Sequence, residues 1–181
     1  MRLFIAIELP ENVKRLLYKL RTDIQGARWL PMEQLHLTLS FLGEVDEETA
    51  KKLIRDLSAI KAPAFDLRFC NPGCFPNRRQ ARVLWVGLEP EPLLSNLASL
   101  VQKTVLSCNI PQEERPFSAH VTLARLKAPG SREVAAFLDQ PQRHKIPPVS
   151  VREFILFQSR LTPNGAVHTP LKNFTLLNTA R

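Results

Sequence analysis

The tetrapeptide His-Leu-Thr-Leu at residues 36–39 recurs as His-Val-Thr-Leu at residues 120–123. Each copy alternates polar and apolar residues, a pattern that predicts a β-strand with one buried face. Because side chains on a strand alternate between the two faces of a sheet, the histidine and threonine of each copy share one face. The repeat therefore predicts two equivalent strands, each presenting an imidazole and a hydroxyl opposite an apolar face.

The segments around the two copies also repeat, in the order strand, helix, strand, helix, once before residue 65 and again after residue 82. Apolar runs predict strands at residues 3–9, 35–42, 65–69, 83–88, 119–126, 151–157 and 171–177. Helical spacing predicts helices at residues 13–24, 47–60, 92–108 and 131–138. We expect Gly43 to end the second strand, and the turn-rich residues 70–82 to form a loop.

This pattern predicts an α+β fold, because short late connections require antiparallel neighbouring strands. We expect residues 1–181 to form one domain of two related lobes around a pseudo-two-fold axis, with antiparallel sheets flanking a central cleft. In that arrangement the two histidine–threonine pairs meet in the cleft.

Composition limits the class of protein. The 181 residues are 44% hydrophobic and 23% charged, as in ordinary folded domains and unlike disordered or fibrous chains. No apolar run approaches the roughly 18 residues of a membrane span, and the first run, at residues 3–7, is too short for a secretory signal. We therefore expect a cytoplasmic location. The three cysteines then favour reduced thiols, and they lack the paired spacing of a zinc site.

The charge balance is basic, with 25 Lys and Arg against 17 Asp and Glu and a formal net charge of +8. Such a chain attracts phosphate-rich partners through long-range electrostatics, which favours a nucleic acid or nucleotide. The alternative is that the charge only keeps the chain soluble.

Two imidazoles in one cleft suit general acid–base catalysis. The ordinary histidine pKa of about 6.5 allows one ring to accept a proton and the other to donate one near neutral pH. Threonine hydroxyls can donate hydrogen bonds to the oxygens of a phosphoryl group in transfer. This chemistry needs no metal and no cofactor, and the chain has no glycine-rich phosphate loop.

At these motifs the chain resembles the two-histidine phosphoesterases, and within them the bacterial RNA 2′,3′-cyclic phosphodiesterase family, also called LigT or 2′-5′ RNA ligase. The resemblance is carried by residues 2–7, 35–43, 82–88, 115–125 and 169–171. It implies a bilobal fold around a groove, and hydrolysis of a terminal RNA 2′,3′-cyclic phosphate to a 2′-phosphomonoester. Family members also join or cleave 2′-5′ linkages.

The resemblance implies a role for each motif residue. His36 is the proton donor to the departing O3′, and His120 is the proton acceptor that activates water. Thr38 and Thr122 hold phosphate oxygens, and Arg125 belongs to the same phosphate site. On an ideal strand Arg125 faces away from His120, so it reaches the phosphate only if the strand twists, bulges or ends before it.

Other residues have two interpretations each. Phe41 either stacks on a nucleobase or packs in the core. Arg78, Arg79 and Arg82 either guide the RNA backbone or lie in a solvated loop. His168 occupies a position where the family often has tyrosine, and we expect it at the cleft edge or on the surface.

Several functions stay open at this point. The first is a monomeric, metal-independent phosphodiesterase acting on RNA with a 2′,3′-cyclic phosphate end. The second is a 2′-5′ RNA ligase or phosphodiesterase acting on tRNA halves or oligonucleotides. The third is an RNA-binding module without turnover. A metal-dependent hydrolase with His36 and His120 as ligands is disfavoured, since no carboxylate or cysteine cluster accompanies either motif.

Overall fold

The computed structural model describes residues 1–128, 132–140 and 146–178. Its strands and helices alternate along both halves of the chain, and the α+β prediction is confirmed. In order they are β1 (Arg2–Glu8), α1 (Glu11–Tyr18), β2 (Ala27–Trp29), β3 (His36–Glu44), α2 (Glu47–Ser58), β4 (Phe65–Leu67), β5 (Phe69–Phe75), β6 (Val83–Leu88), α3 (Pro92–Ser107), β7 (His120–Leu126), α4 (Arg132–Leu138), β8 (Val149–Val151), β9 (Glu153–Thr162) and β10 (Gly165–Thr175).

Both halves contribute to one eight-stranded antiparallel sheet. Seven strands follow the order β10-β9-β1-β3-β7-β6-β5. The eighth strand, β2, pairs with residues 124–126 at the end of β7. The two motif strands, β3 and β7, are neighbours, and they are joined through the single pair Leu37 and Val121. A separate two-stranded sheet pairs β4 of the first half with β8 of the second. The two lobes are therefore interleaved, and they meet at the repeated motif.

The halves correspond strand by strand. Strand β1 pairs with β3 as β6 pairs with β7, and the helices follow in the same order. At the motif, Glu8 lies opposite His36, and Gly87 lies opposite His120. The repeated strand–helix order read from the sequence is present in the structure.

The main core lies between one face of the sheet and the helices. It includes Leu37 and Val121, which are fully buried, as the alternation in the motifs predicts. A smaller apolar cluster of four side chains lies on the opposite face of β1 and β9, and consists of Phe4, Ala6, Ile155 and Phe157. Both faces of the central strands are thus covered, but the face carrying the histidines is only lightly covered. In the described residues, no helix has the length and apolar character needed to span a membrane.

Strand β3 contains a bulge just after its histidine–threonine pair. Its partner β1 pairs Ala6 with Thr38 and then Ile5 with Ser40, so Leu39 has no partner in the ladder. An extra residue of this kind shifts the alternation of side chains by one. Ser40 is accordingly buried next to Leu39.

Strand β7 contains the same bulge at the same place. Its partner β6 pairs Trp85 with Thr122 and then Leu84 with Ala124, so Leu123 is left out of the ladder. Two buried neighbours, Leu123 and Ala124, again mark the shift. The duplication therefore extends to an irregularity of the backbone that composition does not reveal.

Several expected boundaries are wrong. The strand expected at residues 151–157 is β9, which runs from Glu153 to Thr162, and the strand expected at residues 171–177 is β10, which runs from Gly165 to Thr175. Helix α1 ends at Tyr18 rather than near Ile24, because turns at Leu20 and Arg21 close it. Ile24 is buried all the same, since the following loop carries it into the core. Strand β3 continues through Gly43, whose φ of +68° is a conformation that glycine adopts without strain.

The predicted loop at residues 70–82 is also wrong in its first half, which belongs to strand β5. Pro72 and Gly73 are tolerated there because β5 is the edge strand of the sheet. The Trp85 ring lies over Gly73 so closely that a Cβ atom on Gly73 would come within 2.1 Å of it. The rest of the segment holds a short 3-10 turn at Arg78–Gln80.

The junction between the motif strands gives a stability prediction. Leu37 is 0% exposed, so Leu37→Ala should lower the free energy of unfolding by about 2–5 kcal/mol through lost burial and a cavity. Urea denaturation measures the change. The matched control is Leu161→Ala, at a position 72% exposed, which should change stability by less than about 0.5 kcal/mol. Equal effects of the two substitutions would contradict the prediction that packing at this junction contributes strongly to the free energy of unfolding.

Candidate active site

His36 begins strand β3 and sits on an aromatic floor. Its ring stacks on Phe4 with centroids 4.9 Å apart, and Phe157 extends the stack at 6.4 Å. The edge of His168 approaches the same ring at 5.4 Å. The imidazole is therefore held in a fixed orientation and largely removed from water.

His120 begins strand β7 and has its own aromatic surroundings. Phe75 meets the ring edge-on at 5.0 Å, and Trp85 lies 6.0 Å away. The Nδ1 atom of His120 lies 2.7 Å from the carbonyl oxygen of Ser118. Because a carbonyl only accepts, this contact assigns the proton to Nδ1 and leaves Nε2 free to accept a proton.

The sheet register brings the two motifs together. Continuing the Leu37–Val121 pair by one residue in each direction places His36 across from Thr122 and His120 across from Thr38. All four polar side chains then lie on the face opposite the main core, as the sequence predicts. Each imidazole is then next to the hydroxyl of the other motif across the strand pair.

The two bulges place a further residue of each strand on this face. Arg125 and Phe41 both come five residues after the motif histidine, and both are exposed. The bulge that Arg125 requires is present, so it shares the face of His120. Phe41 is 67% exposed, with its ring 6.3 Å from Phe4, so the alternative that it packs in the core is wrong.

Both catalytic candidates are neutral near pH 7 in the unliganded protein. Burial, reinforced by the positive charges that His168 and Lys14 can carry, lowers the pKa of His36 to about 3. Burial also lowers the pKa of His120, and the hydrogen bond to Ser118 partly offsets that effect. The two rings are thus unequal, and His36 is the more strongly desolvated.

A cavity of about 370 Å³ opens beside His36. Its wall includes three carboxylates, Glu8, Glu11 and Glu33, and one ammonium group, that of Lys14. Lys14 is buried and forms an ion pair with Glu8. The cavity therefore carries an excess of negative charge, in contrast to the basic chain as a whole.

His168 lies on β10 at the mouth of the same cavity, where it is half-buried. Its ring meets Phe4 edge-on at 4.8 Å. Burial lowers the pKa of His168, while the charge of Glu8 opposes that effect. Its Nδ1 is buried without a hydrogen-bond partner among the residues that the structure describes. The position agrees with the cleft edge expected from the sequence.

The arginines of the 70–82 segment differ in their partners. Arg78 forms an ion pair of 2.7 Å with Asp139, just after α4. Arg82 donates a hydrogen bond of 2.6 Å to the carbonyl oxygen of Lys127. Arg79 is exposed, and its side chain has no ion-pair partner within the described ranges. Of the three, Arg79 and Arg82 have no carboxylate partner among the described residues, so their charges are left to solvent.

Several residues near the site were missed in the sequence. Glu8 and Lys14 border His36, and Arg28 on β2 lies directly opposite Arg125. The sequence position of Glu8, at the end of the strand that pairs with β3, could have predicted that it lies beside His36. Arg28 had no such signal, because β2 is only three residues long.

Across the described residues, no three histidine, cysteine or acidic side chains cluster in a way that could hold an ion. Cys70, Cys74 and Cys108 are free thiols, as expected for a reduced chain.

Comparison with known proteins agrees with this geometry. A family model described as LigT like Phosphoesterase matches residues 7–85 and again residues 86–168, one match for each half. An RNA 2′,3′-cyclic phosphodiesterase of Archaeoglobus fulgidus is 34% identical, over 96% of this chain and 99% of that protein. One of Thermus thermophilus is 36% identical, over 97% of this chain and 90% of that protein.

A solved structure of Escherichia coli LigT complexed with 3′-AMP superposes with a TM-score of 0.85 at 31% identity, covering 97% of both chains. Matching halves, full-length relatives and a common fold lead to one assignment. The chain belongs to the LigT-like phosphoesterase family.

Proposed function

We propose that this protein hydrolyses the 2′,3′-cyclic phosphate at the end of an RNA to a 2′-phosphomonoester by acid–base catalysis. The observation that carries the proposal is the juxtaposition of two His-x-Thr pairs on one face of neighbouring strands. Full-length relatives named RNA 2′,3′-cyclic phosphodiesterase support it. We expect a cytoplasmic monomer that needs no metal or cofactor.

His120 is the proton acceptor in this proposal. Its Nδ1–H donates to Ser118, so Nε2 faces the site with a free electron pair. A water between Nε2 and the phosphorus loses its proton to His120 as it attacks. General base catalysis of this kind contributes about 10²–10⁴ in rate.

His36 is the proton donor to the departing O3′, and it must be protonated to act. Its pKa of about 3 leaves it neutral in the free protein at neutral pH. A phosphodiester anion next to the buried ring favours the imidazolium and raises that pKa. Substrate binding therefore creates the acid, and the empty site keeps it uncharged.

The remaining groups hold the substrate. Thr38 and Thr122 donate to the non-bridging oxygens, and Arg125 neutralises the charge that develops there. Exposed Phe41 offers a stacking surface for a nucleobase. Arg79 and Arg82 are the loop residues whose charges are left to attract the RNA backbone, since Arg78 is paired with Asp139.

Turnover with product analysis tests the proposal. A short RNA ending in a 2′,3′-cyclic phosphate, incubated with a chelator, should yield the 2′-phosphate and leave no 3′-phosphate. Chromatography against both standards separates the products. Absence of turnover would overturn the proposal, and a 2′-5′-linked dinucleotide assayed in parallel would then test the ligase-related alternative. Loss of activity on chelation would contradict the metal-independent mechanism.

Removing each imidazole tests the two roles separately. His36→Ala and His120→Ala should each lower kcat on the RNA substrate by about 10²–10⁴ while circular dichroism stays unchanged. A p-nitrophenyl phosphodiester releases a weakly basic leaving group that needs no acid. On that substrate His36→Ala should keep most of its activity and His120→Ala should not. The reverse pattern would mean that the two roles are exchanged.

The pH dependence follows from the two lowered pKa values. Activity requires His36 charged and His120 neutral, so the profile of kcat/KM should be bell-shaped. Its alkaline limb, where the rate falls as pH rises, should lie below pH 6.5 because both pKa values are lowered. In the profile of kcat that limb should lie at higher pH, because bound phosphate raises the pKa of both imidazoles. Steady-state kinetics from pH 4 to 9 measure both profiles. Rates that do not vary between pH 5 and 8 would contradict the acid–base pair.

A further inference from the structure

Arg28 and Arg125 lie directly opposite each other in the β2–β7 pair. Side chains opposite each other in an antiparallel pair project from the same face with Cβ atoms about 5 Å apart, and like charges there are destabilising. Both arginines are exposed, and neither forms an ion pair with any residue that the structure describes. These two close positive charges thus have no counter-ion within the described part of the chain. We call these two residues the arginine pair.

The arginine pair projects from the catalytic face. The neighbouring residue on β2, Trp29, points the other way and meets Phe137 of α4 at 5.6 Å. Its partner Ala124 is buried in the main core. Arg125 is three residues beyond Thr122, which is about 10 Å along a strand. The arginine pair therefore extends the groove from the phosphate site towards the far end of β7.

The guanidinium group of Arg28 lies against another part of the fold. Gly165, at the tip of the β9–β10 hairpin, has a φ of +117°, and a Cβ atom there would lie 3.8 Å from Nη2 of Arg28. The same tip is held by a hydrogen bond of 2.6 Å from Gln34 to the carbonyl oxygen of Ala166. Arg28 is thus positioned between β7 and a docked hairpin.

The two ends of the groove have opposite charge. At the His36 end, the cavity wall carries Glu8, Glu11 and Glu33; Lys14 pairs with Glu8 and Arg15 with Glu11, which leaves Glu33 without an ion-pair partner among the described residues. The arginine pair lies on the β2 and β7 side, where Arg125 adjoins the phosphate site and Arg28 is the next positive charge beyond it. A polyanionic strand that leaves the catalytic histidines is repelled from the first end and attracted to the second. This asymmetry gives the groove a direction.

We propose that Arg28 binds the internucleotide phosphate that precedes the terminal nucleotide of a single-stranded RNA. Arg125 stays with the terminal cyclic phosphate, and the RNA leaves the site along β7 and over β2. The inference rests on the proposed function for the position of the cyclic phosphate. It makes a dinucleotide or longer RNA a better substrate than a cyclic mononucleotide.

The test compares adenosine 2′,3′-cyclic phosphate, which lacks that phosphate, with the dinucleotide ApA ending in a 2′,3′-cyclic phosphate. The wild-type protein should have the higher kcat/KM on the dinucleotide. Arg28→Gln should lower the ratio of the two values about tenfold, and Arg28→Lys should restore part of it. The matched control is Arg55→Gln, which removes an exposed charge from helix α2 on the opposite side of the sheet and should leave the ratio unchanged.

A ratio that Arg28→Gln does not change, or an equal loss on both substrates, would overturn the proposal. Fluorescence anisotropy with a labelled tetraribonucleotide ending in a plain 3′-hydroxyl gives a readout without turnover. Arg28→Gln should weaken binding. It should also make the negative slope of log K against log salt shallower by about 0.7, the value for one single-strand phosphate contact. If the wild-type protein hydrolyses neither substrate, the proposed function fails. The salt dependence of binding then tests separately whether Arg28 contacts a phosphate, and a slope that Arg28→Gln leaves unchanged overturns that contact.

Discussion

The two motif strands are joined at a single backbone pair, Leu37 with Val121, and the position of every proposed catalytic group depends on it. Because side chains alternate with a period of two, a slip of one residue in either strand would turn its imidazole into the core and its aliphatic face into the groove. The burial of Leu37 and Val121 opposes that slip. The apolar residues within the motifs therefore determine the register that the polar residues need.

Duplication extends this constraint to the backbone. Each motif strand has a bulged residue at the same place, Leu39 in one and Leu123 in the other, and β3 has a second register shift at Leu42 that β7 does not share. The bulge leaves the histidine and threonine where ideal alternation puts them and then reverses the alternation. Residues five positions after the histidine thus return to the catalytic face, an arginine in one half and a phenylalanine in the other. The equivalent positions of the two halves thus carry a charged side chain, Arg125, and an aromatic side chain, Phe41, on the same face of the sheet.

Sequence pattern predicts the parts of this structure that depend on local periodicity. The shared face of His36 and Thr38, the paired motif and the α+β class all follow from alternation and repetition. The bulges do not, because they depend on which residues pair across strands. Strand β5 was missed because Pro72 and Gly73 are typical turn residues. The proline is tolerated at the edge of the sheet, and the glycine is required because the Trp85 ring lies over it. Aromatic floors and opposed arginines likewise join residues that are distant in sequence, and no local pattern reveals them.

The aromatic floor under His36 has a consequence for catalysis. Holding the pKa of His36 at about 3 instead of 6.5 disfavours its charged form by about 5 kcal/mol. A phosphodiester charge about 4 Å from the ring returns about 4 kcal/mol at an effective dielectric constant of about 20. The two quantities are similar, so an anion in the site suffices to bring the imidazolium into the range where it can donate a proton. In the proposed mechanism, the burial that keeps His36 neutral in the free protein also strengthens the effect of a substrate's charge, so that protonation of His36 follows phosphate binding.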